Sequence, residues 1–137
     1  MIVADSNLIA YLMIRGDQTP AAEAVLKNDP MWAAPLLWRS EFRNVLALYL
    51  RQAHLSLADA IQYMNEAEEL LRGREYRVPS APVLELAERS GLTAYDCEFI
   101  HLSQELAVPL VTSDRRMTRA FPDVAIAMED FTPPLSP

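Results

Sequence analysis

Four carboxylates stand where acids are rarely placed: Asp5 and Asp114 directly after short apolar runs, Glu41 and Asp96 on the apolar sides of helical segments. Asp5 follows Met1-Ile2-Val3-Ala4, and Asp114 closes Pro109-Leu110-Val111-Thr112-Ser113. At about 100° per residue, Asp96 shares a side with Phe99, Ile100, Ser103 and Ala107, while Glu98, His101 and Glu105 face the other way. Glu41 falls in a column with Leu37, Val45 and Leu48, with Arg39 and Arg43 turned to solvent. Each acid has an ordinary explanation: Asp5 or Ser6, Asp114 or Ser113 as helix N-caps, and Asp96 as the return half of a capping box begun by Thr93. Glu41 has the alternatives of an arginine partner or the edge of its apolar column. Acids near buried surface are costly unless paired or metal-bound, and no lysine stands in matching positions. Four together repel, and a hard divalent cation relieves that conflict. Carboxylate oxygens suit Mg2+ or Mn2+, which bridge to phosphate and activate water.

The elements that must position these acids follow from the apolar pattern. Short strands are expected at 1–4, 31–34, 76–79, 109–113 and 124–128, separated by about seven helices. Thr19-Pro20 opens one helix, with Thr19 as cap. Leu36 to Ala53 forms the longest, and Ser56-Leu57-Ala58-Asp59 caps the next, whose face is Ile61, Met64, Ala67, Leu70 and Leu71. A helix over Ser80–Ser90 stops at Gly91, and another runs from Tyr95 to Ala107. Apolar strands alternating with helices predict a three-layer α/β/α domain around a central parallel sheet of about five strands. The domain should span 1–131, leaving the proline-rich 132–137 as a flexible tail. In such a sheet, residues that follow strands or begin helices gather at the carboxyl edge, where strand order switches. All four acids are expected there.

Composition narrows the classes. A chain of 137 residues fits one domain. The net charge of −7 argues against a module that coats nucleic acid, but not against an enzyme meeting phosphate through a bound cation. No apolar stretch is long enough to span a bilayer, so no membrane association is expected. Asp5 interrupts the start, against a secretory leader, and the single Cys97, read as a packed thiol, fits a cytoplasmic protein. Two histidines and one cysteine cannot assemble a zinc site by the usual spacings.

Ile2-Val3-Ala4-Asp5-Ser6-Asn7, Ser40-Glu41, Leu92-Thr93-Ala94-Tyr95-Asp96 and Pro109-Leu110-Val111-Thr112-Ser113-Asp114, in this order, resemble the PIN-domain family. Within it they resemble the VapC-type toxins of toxin–antitoxin pairs. The resemblance implies a PIN-like fold and a metal-dependent endoribonuclease, with Asp5, Glu41, Asp96 and Asp114 around Mg2+ or Mn2+. It further implies supporting roles for Ser6, Asn7, Thr112 and Ser113, an RNA substrate, an antitoxin partner and a homodimer. Apolar helix faces, notably that of Ile61, Met64 and Leu71, also favour a dimer. Some relatives carry a further acid three residues after the fourth; here that position is Met117.

Other folds with an aspartate after the first strand fit less well. A haloacid-dehalogenase-like phosphatase needs a second aspartate where Asn7 stands, and a receiver domain needs a late lysine, whereas the only lysine is Lys27. The remaining alternative is a catalytically silent PIN-like module that binds RNA or protein.

Overall fold

A computed structural model describes residues 1–131, and the tail expected at 132–137 lies outside them. β1 (Ile2–Ala4) is buried at every position, as a strand covered on both faces must be. It leads through α1 (Ser6–Met13) and α2 (Thr19–Asn28) to β2 (Trp32–Pro35), then through α3 (Leu37–Arg51) and α4 (Leu57–Leu71) to β3 (Glu75–Tyr76). α5 (Ser80–Ser90) and α6 (Ala94–Leu106) return the chain to β4 (Leu110–Thr112), followed by α7 (Arg115–Ala120), β5 (Ala125–Ala127) and a 3-10 turn at Met128–Asp130. The sheet order is β3-β2-β1-β4-β5, with every pairing parallel. This is the expected α/β/α sandwich. The chain moves one way from β1 to β3 and then resumes at β4 on the other side of β1, so the switch in strand order lies between β1 and β4. Among the described residues no helix is long and apolar enough to cross a membrane.

Local rules explain most boundaries. Ser56 and Thr93 cap α4 and α6, each accepting the amide three residues on. Gly91 ends α5 at φ 75°, a left-handed position that glycine adopts without a Cβ penalty. α6 stops one residue earlier than expected: Ala107 itself takes the left-handed turn, and the Val108 amide bonds the Ser103 carbonyl to steer the chain into β4. Thr19 does not cap α2. Its buried hydroxyl donates to the Tyr11 carbonyl and accepts from the Gly16 amide, closing the end of α1 instead. The third strand is shorter and earlier than the expected 76–79.

Two helix faces depart from expectation. α3 buries Trp38, Phe42 and Leu46, whereas Leu37 and Val45 are half-buried and Leu48 is exposed. Glu41 therefore lies on the flank of the helix, beside its buried stripe. Arg39 is not free in solvent: its guanidinium grips both oxygens of Glu75, at 2.6 and 2.7 Å, and reaches Glu68 at 2.7 Å. That clamp joins α3, α4 and β3, and it holds the Glu75 carboxyl below its ordinary range. On α4 the core side is Ala60, Met64, Ala67 and Leu71, leaving Leu57 and Ile61 exposed.

Candidate functional site

The end of β1 and the end of β4 lie side by side, because the Asp5 amide donates to the Val111 carbonyl at 3.2 Å. Asp5 caps α1, its Oδ1 accepting the Asn7 amide, and its other oxygen accepts the hydroxyl of the fully buried Thr112. Asp114 caps α7 through the Arg116 amide at 2.9 Å, and its own amide is held by Thr112 Oγ1. Thr112 thus ties the two strand ends together. Glu41 comes from α3 and accepts the Ser6 hydroxyl at 2.8 Å. Asp96 enters from the first turn of α6. Its main-chain amide bonds Thr93 Oγ1 at 3.0 Å, but its carboxylate does not complete a capping box: Oδ2 is buried with no hydrogen-bond partner among the described residues.

The four acids gather on this edge, and their electrostatics show it. Burial pushes the Asp5 carboxyl up, against the Thr112 and Asn7 hydrogen bonds, and the charges of Asp114 and Asp96 push the same way. Glu41 is raised first by burial and then by Asp5, Asp96 and Glu98, opposed by its Ser6 bond. Glu98, expected in water, is half-buried and adds its charge to those acting on Glu41. Ser6 and Thr112 support the acids directly, Asn7 contributes its amide while its side chain is exposed, and Ser113 makes no hydrogen bond to them. Met117, at the position where some relatives carry an acid, is buried beneath Thr112.

The charge is nevertheless not left uncompensated, as the absence of lysine had suggested. Arg116 Nη2 lies 2.7 Å from Asp114 Oδ2 and 3.5 Å from Asp96 Oδ2. This contact holds the Asp114 carboxyl below its ordinary range. Sequence pattern offered one signal for it, a basic residue two positions after an N-cap aspartate.

The donor set suits Mg2+ or Mn2+ in kind: carboxylates only, two steadied by hydroxyls, and a buried Asp96 oxygen with nothing to accept. The geometry is not closed, since among the described residues no group of three or more His, Cys, Asp or Glu side chains is arranged to hold a metal ion.

Asp5 yields a stability prediction. A carboxyl raised in the folded state adds stability only at acid pH, below the unfolded value, and that contribution is lost as pH rises through the folded value. Asp5→Asn keeps the cap but cannot ionise. In metal-free buffer at pH 7 it should melt several degrees above the wild type, with the gap closing toward pH 4. A gap that is absent at pH 7, or that widens in acid, would contradict this account of Asp5.

No family model matches the chain. It is 25% identical over 124 residues to Ribonuclease VapC3 of Pyrobaculum aerophilum, covering 88% of this chain and 95% of the relative. Among solved structures, PAE2754 from Pyrobaculum aerophilum superimposes with a TM-score of 0.75 at 21% identity, over 93% of this chain and 90% of that one. FitAcB from Neisseria gonorrhoeae gives 0.69 at 19% identity, over 93% and 96%.

Proposed function

Because the chain resembles the VapC-type PIN domains in its motifs and in its fold, we propose that it is a metal-dependent endoribonuclease, the toxin of a toxin–antitoxin pair. The observation that carries this reading is the meeting of Asp5, Glu41, Asp96 and Asp114 at the β1/β4 switch point, with one buried carboxylate oxygen that accepts no hydrogen bond among the described residues. These four residues would hold Mg2+ or Mn2+, which would activate water for attack and offset charge on the scissile phosphate. The chain's own part is to orient and to desolvate. Thr112 fixes the Asp5 carboxylate across the strand gap, Ser6 fixes Glu41, and burial keeps water from Asp5. An acidic edge repels RNA phosphate by itself, so a bound cation would be needed to offset that repulsion. The related chain's name, a ribonuclease, supports RNA as the substrate.

Partner and assembly belong to the same reading: a cytoplasmic protein, inhibited by an antitoxin, and paired as a homodimer. Exposed Leu57 and Ile61, one helical turn apart on α4, are apolar surface that a second copy would cover. Sedimentation at the mass of one chain across the micromolar range would refute the dimer.

A second reading, the catalytically silent PIN-like module, draws on the Arg116 ion pairs and on the open geometry of the acids. Purified chain incubated with single-stranded RNA decides between the two. The nuclease reading expects cleavage with Mg2+ or Mn2+ that EDTA abolishes, and a melting temperature raised by millimolar metal through mass action. Intact RNA and an unmoved melting temperature would favour the silent module.

A further inference from the structure

Arg116 spans two acids that come from different elements. Its guanidinium bonds Asp114, the cap of its own helix, through Nε at 3.2 Å and Nη2 at 2.7 Å. The same Nη2 lies 3.5 Å from the Asp96 oxygen that accepts no hydrogen bond. Among the described residues it is the only side-chain cation within ion-pair distance of the four acids. A pair with Asp114 alone would be unremarkable, since the two residues are neighbours in sequence. Reaching Asp96 brings the guanidinium between the ends of α6 and β4, on oxygens that a divalent ion would need.

We infer that Arg116 is an internal counter-ion of this site, a positioning residue that holds Asp96 and Asp114 together without metal and is displaced when a divalent cation binds. The inference rests on the metal-nuclease reading and adds the regulation of its metal affinity. Three features make the exchange feasible. The Arg116 side chain is 64% exposed, so it can swing into water at little desolvation cost. Asp96 and Asp114 are each 20% exposed, so they stay in place when it leaves. A guanidinium does not lose its proton, so above the range where the carboxylates protonate it is a competing cation that vacates the site. The expected consequence is a site that fills at higher metal concentration than four free carboxylates would need.

Calorimetric titration of the purified full chain with Mn2+ tests this, using Arg116→Ala beside Arg115→Ala. Arg115 is exposed, begins the same helix and forms no ion pair with the acids, so its removal measures the long-range effect of one lost charge. Arg116→Ala should bind Mn2+ about fivefold more tightly than the wild type, and Arg115→Ala less than about twofold. Arg116→Ala should also melt lower than Arg115→Ala in EDTA and gain more on adding Mn2+. Equal affinities for the two variants would overturn the counter-ion role while leaving the metal site standing. No binding by the wild type or by either variant would remove the metal reading itself, and this inference with it.

Discussion

Asp96→Asn should lower cleavage of single-stranded RNA by at least about a hundredfold, since loss of a group that merely orients a ligand already costs about ten- to a hundredfold. The structure makes this substitution a clean separation of two roles. The cap at the start of α6 is made by the Asp96 main-chain amide and Thr93 Oγ1, which asparagine leaves untouched. The carboxylate makes no return bond to the Thr93 amide, and among the described residues the one charged partner of its buried Oδ2 is Arg116, at 3.5 Å. In EDTA the variant should therefore melt at or above the wild-type temperature, as one of the mutually repelling acids is gone. With Mn2+ it should lose most of the metal-induced rise. Asp5→Asn should match it in cleavage. A variant that cuts RNA at the wild-type rate, in protein free of antitoxin and host ribonuclease, would end the catalytic reading of Asp96.

The second large effect concerns α3, and it is a loss of fold. Trp38→Ala should cost about 3–5 kcal/mol, the range for deleting a large buried aromatic side chain. Trp38 is fully buried, stacks near Phe42 with ring centroids 6.3 Å apart, and donates its indole N–H to Glu75 Oε1 at 2.7 Å. Its removal opens a cavity and weakens the clamp by which Arg39 and Glu75 join α3 to β3. Against a total stability of about 5–15 kcal/mol for a domain, the variant should be marginal at 37 °C. Leu48→Ala, at a side chain 44% exposed, should cost under about 1 kcal/mol. Urea unfolding of both proteins measures the difference. Equal costs would contradict the account of Trp38 as the buried anchor of the helix.

Those two residues also mark where sequence reasoning stops. α3 carries two apolar stripes side by side, Leu37-Val45-Leu48 and Trp38-Phe42-Leu46, about 100° apart. Sequence reasoning takes the first; periodicity alone does not decide between them, because the choice depends on where the chain leaves β2 and how α1 and α4 lie against α3. The same limit applies on α4, where Ile61 fits the apolar pattern yet lies outside the core.

The candidate site divides along the same line. That Asp5 and Asp114 follow apolar strands was legible in the residues alone, whereas the choice of Asp5 over Ser6 and of Asp114 over Ser113 as helix caps was settled by the structure. Thr93 as the cap of α6 was equally legible. The alternation of short buried strands with helices likewise determined a parallel sheet, since only such a sheet buries strands like Ile2-Val3-Ala4 on both faces. The partners of the acids were not legible. Arg116 meets Asp96, Thr112 holds Asp5, Ser6 holds Glu41 and Glu98 acts on Glu41 because β1 and β4 are neighbours and α3 and α6 begin on one edge. Such pairings depend on strand order, which no local pattern encodes: capping and periodicity act over a few residues, whereas Thr112 and Asp5 stand 107 positions apart and meet only through the packed sheet.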